Sequence, residues 1–278
     1  MKWRWSGKAR LRRAPADAAA LERARPIIER SARTYPNLAY RRDKALLFSP
    51  EGNALLMYGR IGRSWIAMGD PVGPEAEARA LARRFRDECA RRRRWSVFFE
   101  VRPEHLAWYF DLGLTLTQLG EEARVELAGF DLQRPELVRM RQARAKLARE
   151  GQGAGREELS VDLMRRLPDA PNGTMDLLFT ELLLWGREGG YRWFNFGMAP
   201  LSGLDRRSGA PLWNRVATFV YRHGEHFYNF RGLRAYKEKF RPVWTPLYLA
   251  SPGGAALPAV LLDVTALIAG GYGGIFKR

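Results

Sequence analysis

The sequence predicts a mixed α/β (α+β) fold built in two consecutive halves, and three features carry that expectation. Short apolar segments between residues 45 and 68, parted by turn signals, read as an antiparallel meander. An amphipathic helix with apolar residues at four-residue spacing follows. The succession of helix and basic-aromatic strand then occurs twice, at Arg94-Trp95-Ser96-Val97-Phe98-Phe99 and at Arg192-Trp193-Phe194-Asn195-Phe196.

Residues 1–34 form a basic lead-in and a helix whose apolar positions are Leu21, Ile27 and Ile28. The first half, residues 35–131, opens with strands at Ala45–Phe48, Ala54–Tyr58 and Ser64–Met68, separated by Ser49-Pro50-Glu51-Gly52 and by Gly59 to Arg63. Asp70-Pro71-Val72-Gly73-Pro74 ends the meander and starts a helix carrying Leu81, Phe85 and Cys89 on one stripe. Trp95–Val101 is a strand by its aromatic and β-branched content. Pro103 opens a second helix that Gly113 closes, and Val125–Phe130 is a further strand.

The second half, residues 132–252, starts with a strand at Leu159–Met164 and a turn at Pro171-Asn172-Gly173-Thr174, with Thr174 as the N-cap of a helix over Met175–Arg187. Gly189-Gly190 stops it, and Tyr191–Phe196 is a strand. A helix over Pro211–Arg222, a strand at Phe227–Phe230, a helix over Gly232–Phe240 and a strand at Leu247–Ala250 complete the half. The tail, residues 253–278, is apolar but interrupted by Asp263 and rich in glycine, so it is expected to pack on the body of the protein. Meander, helix, strand, helix, strand is the order of an acyltransferase fold of the GNAT type.

Of 278 residues, 46% are hydrophobic and 12% aromatic, enough for a packed core and against whole-chain disorder. Lys and Arg number 47 against 30 Asp and Glu, a formal charge of +17. Such a chain gathers at polyanions, whether nucleic acid or an anionic lipid surface. One cysteine, Cys89, excludes a disulfide framework and a zinc site of paired cysteines. Its place on the apolar stripe makes it a core residue. No window offers roughly 18 uncharged apolar residues, so no transmembrane helix is expected. His105, His223 and His226 are too scattered to form a metal site by spacing.

The stretch Phe194-Asn195-Phe196-Gly197-Met198-Ala199-Pro200-Leu201-Ser202-Gly203-Leu204 resembles the C-terminal domain of the phosphatidylglycerol lysyl- and alanyltransferases, bacterial enzymes that add amino acids to lipid. So do Ser160-Val161-Asp162-Leu163-Met164-Arg165 and Gly173-Thr174-Met175-Asp176. Phe227-Tyr228-Asn229-Phe230-Arg231-Gly232-Leu233-Arg234 matches as well, running on through Tyr236-Lys237-Glu238-Lys239-Phe240 to Trp244. Gly69-Asp70-Pro71-Val72-Gly73 and Gly120-Glu121-Glu122-Ala123 carry the resemblance into the first half. It implies tandem GNAT-like halves, an aminoacyl-tRNA donor, phosphatidylglycerol as acceptor and no cofactor. It also implies a peripheral place on the cytoplasmic face of the bacterial inner membrane, beside a membrane-embedded flippase domain that this chain does not contain. Relatives place further helices and strands before Val161. Here Arg149-Glu150-Gly151-Gln152-Gly153-Ala154-Gly155-Arg156 makes a direct, flexible join, so the second half is expected to be shortened at residues 150–160.

The implied reaction is an ester exchange, which needs a base, an oxyanion-stabilising group and positioning of two large substrates. The resemblance assigns Asp162, Arg165 and Glu238 to catalysis. It assigns Asn195, Ser202, Tyr228, Asn229, Arg234, Lys237 and Lys239 to substrate binding. An edge-strand ion pair is the structural alternative for Asp162 and Arg165, which simple strand alternation puts on opposite faces unless a bulge intervenes. For Lys237 to Lys239 the alternative is a solvated helical face, and for Asn195 and Ser202 it is a turn whose glycines serve backbone geometry. Arg91, Arg92, Arg93 and Arg94 suit tRNA or anionic lipid. Two rival functions are a GNAT-type aminoacyl- or acetyltransferase with another acceptor, and a binding protein for tRNA or anionic membrane.

Overall fold

The computed structural model describes residues 17–130, 157–161, 173–203 and 230–274. Along them lie α1 (Ala18–Glu29), β1 (Ala45–Phe48), β2 (Leu55–Ile61), β3 (Ser64–Met68), α2 (Glu75–Arg91), β4 (Trp95–Val101), α3 (Leu106–Asp111) and β5 (Thr115–Glu126). They continue with β6 (Glu158–Ser160), α4 (Thr174–Glu188), β7 (Trp193–Pro200), α5 (Phe230–Glu238), β8 (Val243–Ser251) and α6 (Leu257–Ile268). The chain divides into two compact units. One takes Met1–Ser31, Tyr35–Leu119 and Leu247–Arg278; the other takes Ala32–Thr34 and Gly120–Pro246.

In the first unit β1, β2 and β3 form the expected antiparallel meander, and β4 returns parallel to β3 after α2. That crossover is what a parallel neighbour requires. The end of β8 pairs antiparallel with β4. Side chains alternate along β2 and β3, so Leu56, Tyr58, Trp65 and Ala67 meet Leu81, Phe85 and Cys89 of α2. Phe85 sits edge-on to Tyr58 and to Phe98, with ring centroids 5.2 and 5.3 Å apart. Burial, helped by the charge of Glu88, pushes the Cys89 thiol up to about 12, which makes it an inert core residue.

The opposite face of these strands takes two helices. Leu55 and Met57 pack with Leu21, Ile27 and Ile28 of α1, whose first turn is capped by Asp17. Gly59 admits α6, since a Cβ there would lie 2.5 Å from Leu267. The tail beyond residue 253 thus packs on the body through α6, as its composition predicts. Among the described residues no helix is long and apolar enough to cross a membrane.

Asp70 explains the motif around it. The side chain is buried; Oδ1 accepts the Tyr109 hydroxyl at 2.6 Å and Oδ2 accepts the Arg102 amide at 3.2 Å. Its backbone oxygen takes the Tyr35 hydroxyl at 2.7 Å. One carboxylate therefore ties the end of β3 to α3 and the turn before it.

In the second unit β7 pairs antiparallel with β5 and parallel with β6. Phe179, Leu183 and Leu184 of α4 pack on Phe194, Phe196 and Phe240. Glu158 is buried at the start of β6, where its carboxylate accepts from the Thr34 amide and hydroxyl and pairs with Arg33 and Arg124.

Three expectations need correction. The strand placed at Val125–Phe130 shares only Val125 and Glu126 with β5, which begins at Thr115 and ends at Glu126. Gln118, Glu121, Glu122 and Arg124 are polar, half-buried positions in its middle, and they obscure the apolar alternation. Thr174 is the first helical residue of α4 rather than its cap: Gly173, at φ 88°, takes the cap position with no side-chain bond. Phe230 belongs to α5 and not to a strand. The helix expected at Pro211–Arg222 lies outside the described residues, as do most of the strand at Phe227–Phe230 and the Gly-rich join.

His105 Nδ1 lies 3.1 Å from Asp70 Oδ2. Burial pulls the imidazole down, but its contact with Asp70 and the charge of Glu104 outweigh this and raise its pKa. A raised folded-state pKa stabilises the fold fully below the unfolded value of about 6.5, and that contribution fades as pH rises through the folded value. Between pH about 5.5 and about 8.5 the wild type should therefore lose more stability than His105→Gln. Urea midpoints at the two pH values measure this, and equal losses would contradict it.

Candidate functional site

The site in the second unit grows from an irregularity in the β5–β7 pairing. Glu121 opposes Ala199 and Glu122 opposes Met198, but Arg124 opposes Asn195. Ala123 alone thus faces both Phe196 and Gly197, which is a β-bulge. Gly197 has φ 75°, a conformation that side-chain-bearing residues rarely adopt. At the bulge Lys237 on α5 donates its Nζ to the carbonyls of Gly197 and Met198, both at 3.0 Å. Lys237 is only 2% exposed, so its ammonium depends on such acceptors.

Asn195 locks the same bulge. Its Oδ1 accepts the Gly197 amide at 2.7 Å, and its Nδ2 donates to Glu122 Oε1 at 2.8 Å. Ser202 follows β7 in a turn, where its hydroxyl donates to the Ala199 carbonyl at 2.8 Å and accepts the Glu121 amide at 3.1 Å. The Glu121 carboxylate accepts from Arg234 on α5, whose guanidinium lies 4.3 Å over the Trp244 ring. The Trp244 indole donates to Glu238 at 2.9 Å. Lys239 pairs with Asp176 of α4 at 3.2 Å and lies over Tyr236. Burial, then the Asp176 carboxylate, pushes the Tyr236 hydroxyl well above its usual range.

The structure therefore brings together Asn195, Ser202, Arg234 and Lys237 around one bulge, with Glu238 at the end of α5 and Lys239 just after it. Asn195, Ser202 and Lys237 hold backbone at this point. Glu238 and Lys239 are exposed. Asp162, Arg165, Tyr228 and Asn229 lie outside the described residues. Arg91, Arg92, Arg93 and Arg94 belong to the other unit; Arg91 and Arg92 pair with Glu88 and lower its pKa.

Glu121, Glu122, Asp176 and Trp244 were not foreseen as site residues, although each stands in a quoted motif. Their roles follow from strand register and helix docking, which residue identity does not encode. Among the described residues no group of three or more His, Cys, Asp and Glu is placed to hold a metal.

Comparison with known proteins gives the class first. A family model described as phosphatidylglycerol lysyltransferase, C-terminal, matches residues 25–154 and 151–251, and the chain belongs to that family. Among solved structures it resembles a C-terminal domain described as that of a putative lysylphosphatidylglycerol synthetase from Agrobacterium fabrum. The two are 33% identical with a TM-score of 0.75, over 89% of this chain and 96% of that one. The structure of L-PGS from Bacillus licheniformis is 26% identical, also with a TM-score of 0.75, over 91% and 97% of the two chains. The phosphatidylglycerol lysyltransferase of Bacillus subtilis is 29% identical over 306 residues, covering 86% of this chain and 36% of the relative. That of Staphylococcus haemolyticus is 26% identical, covering 89% and 38%. The chain thus spans little more than a third of the length of these curated relatives.

If Lys237 holds the bulge, Lys237→Met leaves two carbonyls without their donor and costs about 1–3 kcal/mol of stability. Lys239→Met removes a solvent-accessible pair with Asp176 and a contact over Tyr236, and costs less than about 1 kcal/mol. Urea unfolding of both variants measures the difference, and equal losses would refute the assignment.

Proposed function

We propose that this chain transfers a lysyl or alanyl group from aminoacyl-tRNA to the glycerol hydroxyl of phosphatidylglycerol. It does so at the cytoplasmic face of the bacterial membrane, lowering the negative charge of the lipid surface and aiding resistance to cationic peptides. The observation that carries this reading is the family match running through residue 251, which contains the whole bulge site. The names of the relatives support lipid aminoacylation in general. The tRNA donor, the choice of amino acid and a membrane-embedded partner domain rest on the resemblance of the motifs.

In this reading the lipid hydroxyl oxygen attacks the ester carbonyl carbon. A new ester C–O bond forms, and the bond to the tRNA ribose oxygen breaks. The proton leaves the lipid hydroxyl for Asp162 or Glu238 and ends on the ribose oxygen. Arg165 holds phosphate or the carbonyl oxygen. Tyr228, Asn229, Arg234 and Lys239 contact the substrates, while Asn195, Ser202 and Lys237 keep the bulge in place beside them.

One finding favours a second reading, a binding protein for tRNA or anionic membrane without turnover. The alignment to the Bacillus subtilis relative is longer than this entire chain although it covers only 86% of it. The relative therefore carries residues with no counterpart here. The two family matches meet at residues 151–154, inside the Gly-rich join.

The test is transfer of radiolabelled lysine or alanine from charged tRNA into phosphatidylglycerol vesicles. Wild type should label the lipid with one amino acid, and Asp162→Asn or Glu238→Gln should reduce the rate by about 10²-fold or more, as loss of a general base does. Folded wild-type protein that moves no label, yet binds tRNA in a salt-dependent way, would establish the second reading instead.

A further inference from the structure

In the first unit the twelve-residue helix α6 has an unusual outer face. It packs on β2 and β3 through Val260, Leu261, Val264, Ala266 and Leu267. Its sole charged residue, Asp263, is buried; the carboxylate accepts the Ser64 hydroxyl at 2.6 Å and the Tyr272 hydroxyl. Pro258, Ala259, Leu262, Thr265, Ile268 and Ala269 are left exposed, Leu262 by 49% and Ile268 by 61%. The exposed side of a helix on a water-soluble surface ordinarily carries charge, as α2 does with Arg79, Arg83 and Arg84. On α6 no charge faces outward.

A second, independent feature adjoins it. Ser64, whose side chain reaches α6, is in parallel register with Trp95, so the two point to the same side of the sheet. Arg63 lies 4.9 Å over the Trp95 ring. Arg94 donates to the Gly62 carbonyl, and Gly62 itself sits against Asp263 and Tyr272. Arg92 lies over Trp65 on the α2 face of the sheet, so the exposed Arg91 and Arg92 belong to that other face. Glu88 pairs with Arg91 and Arg92, while among the described residues Arg63, Arg93 and Arg94 form no ion pair. A helix with no outward charge, bordered by arginines and by Trp95 and Tyr272, has the makeup of an interfacial membrane element. The apolar face enters the acyl boundary, the rings sit at headgroup level, and the cations meet lipid phosphate.

We propose that α6, with Arg63, Arg94 and Trp95, is the surface by which this chain docks on an anionic bilayer. A nucleic acid would use the arginines but gain nothing from Leu262 and Ile268, whereas a bilayer uses both. The choice of partner is consistent with the lipid-directed function proposed above, but binding here needs no turnover.

The test is sedimentation of the whole chain with vesicles of phosphatidylglycerol and phosphatidylcholine in equal parts, and with phosphatidylcholine alone. Wild type should bind the mixed vesicles and not the neutral ones. The double variant Leu262→Asp/Ile268→Asp should bind the mixed vesicles at least about ten-fold more weakly. Arg63→Glu/Arg94→Glu should also bind less and show a flatter salt dependence. Both helix positions are exposed, so thermal melts should match wild type; if the aspartate variant unfolds, Leu262→Ser/Ile268→Ser serves and should still bind several-fold more weakly. A folded helix variant that binds like wild type overturns the proposal, and loss with the arginine variant alone would mark the patch as a nucleic-acid or general anion surface. Transfer to phosphatidylglycerol in detergent micelles should survive in the helix variant. Wild type inactive in micelles and vesicles alike would count against the catalytic reading and leave docking standing.

Discussion

A buried ammonium with two backbone carbonyls as acceptors is the constraint on which the second unit depends. Lys237 has no tolerable state in the core without hydrogen-bond acceptors, and the carbonyls of Gly197 and Met198 at the bulge of β7 supply two. The bulge and the buried ammonium thus come as a pair. That pairing fixes the position of α5 over β7, and with it Arg234 beside Glu121 and Glu238 beside Trp244. Asn195 makes the arrangement specific, since its two side-chain bonds require both the bulge and Glu122 in their present register. A purely apolar contact between α5 and the sheet would tolerate sliding; paired polar groups do not.

The first unit uses the same device with the opposite sign. Asp70 is a buried carboxylate whose acceptors are met by Tyr109 and the Arg102 amide, with His105 alongside. It terminates β3 and seats α3, much as Lys237 terminates the regular part of β7 and seats α5. In both units the apolar core supplies bulk stability through rings such as Phe85 and Phe179, while one enclosed ionic group sets the register of a strand end. Such groups add geometry more than net stability.

Much of this was legible in the sequence. Ser64–Met68 and Trp95–Val101 are strands over the very residues their aromatic and β-branched content marked, because turn residues bound them on both sides. The Leu81, Phe85, Cys89 stripe is buried as its spacing required. Thr115–Glu126 was read only at its end, because Gln118, Glu121 and Glu122 interrupt the apolar alternation that resumes at Ala123 and Val125. The site was half legible. Asn195, Ser202, Arg234 and Lys237 were picked out by resemblance, but residue type alone casts Lys237 as a phosphate ligand in water. Its burial is set by a bulge whose only trace in the sequence is one glycine, and no local pattern distinguishes that glycine from an ordinary turn.

Charge distribution carries the argument one step further. A chain of net charge +17 would place arginine on every outward helix face if basic composition were the whole cause. α2 conforms, with exposed arginines along its length and Glu88 set among them. α6 does not, and its one carboxylate points inward to Ser64 and Tyr272. General basicity therefore explains the arginines at the β2–β3 turn but not the helix beside them, whose outer face carries no charge. A hydrocarbon boundary next to anionic headgroups accounts for both features at once, because it asks for apolar atoms at one depth and cations a few ångströms away.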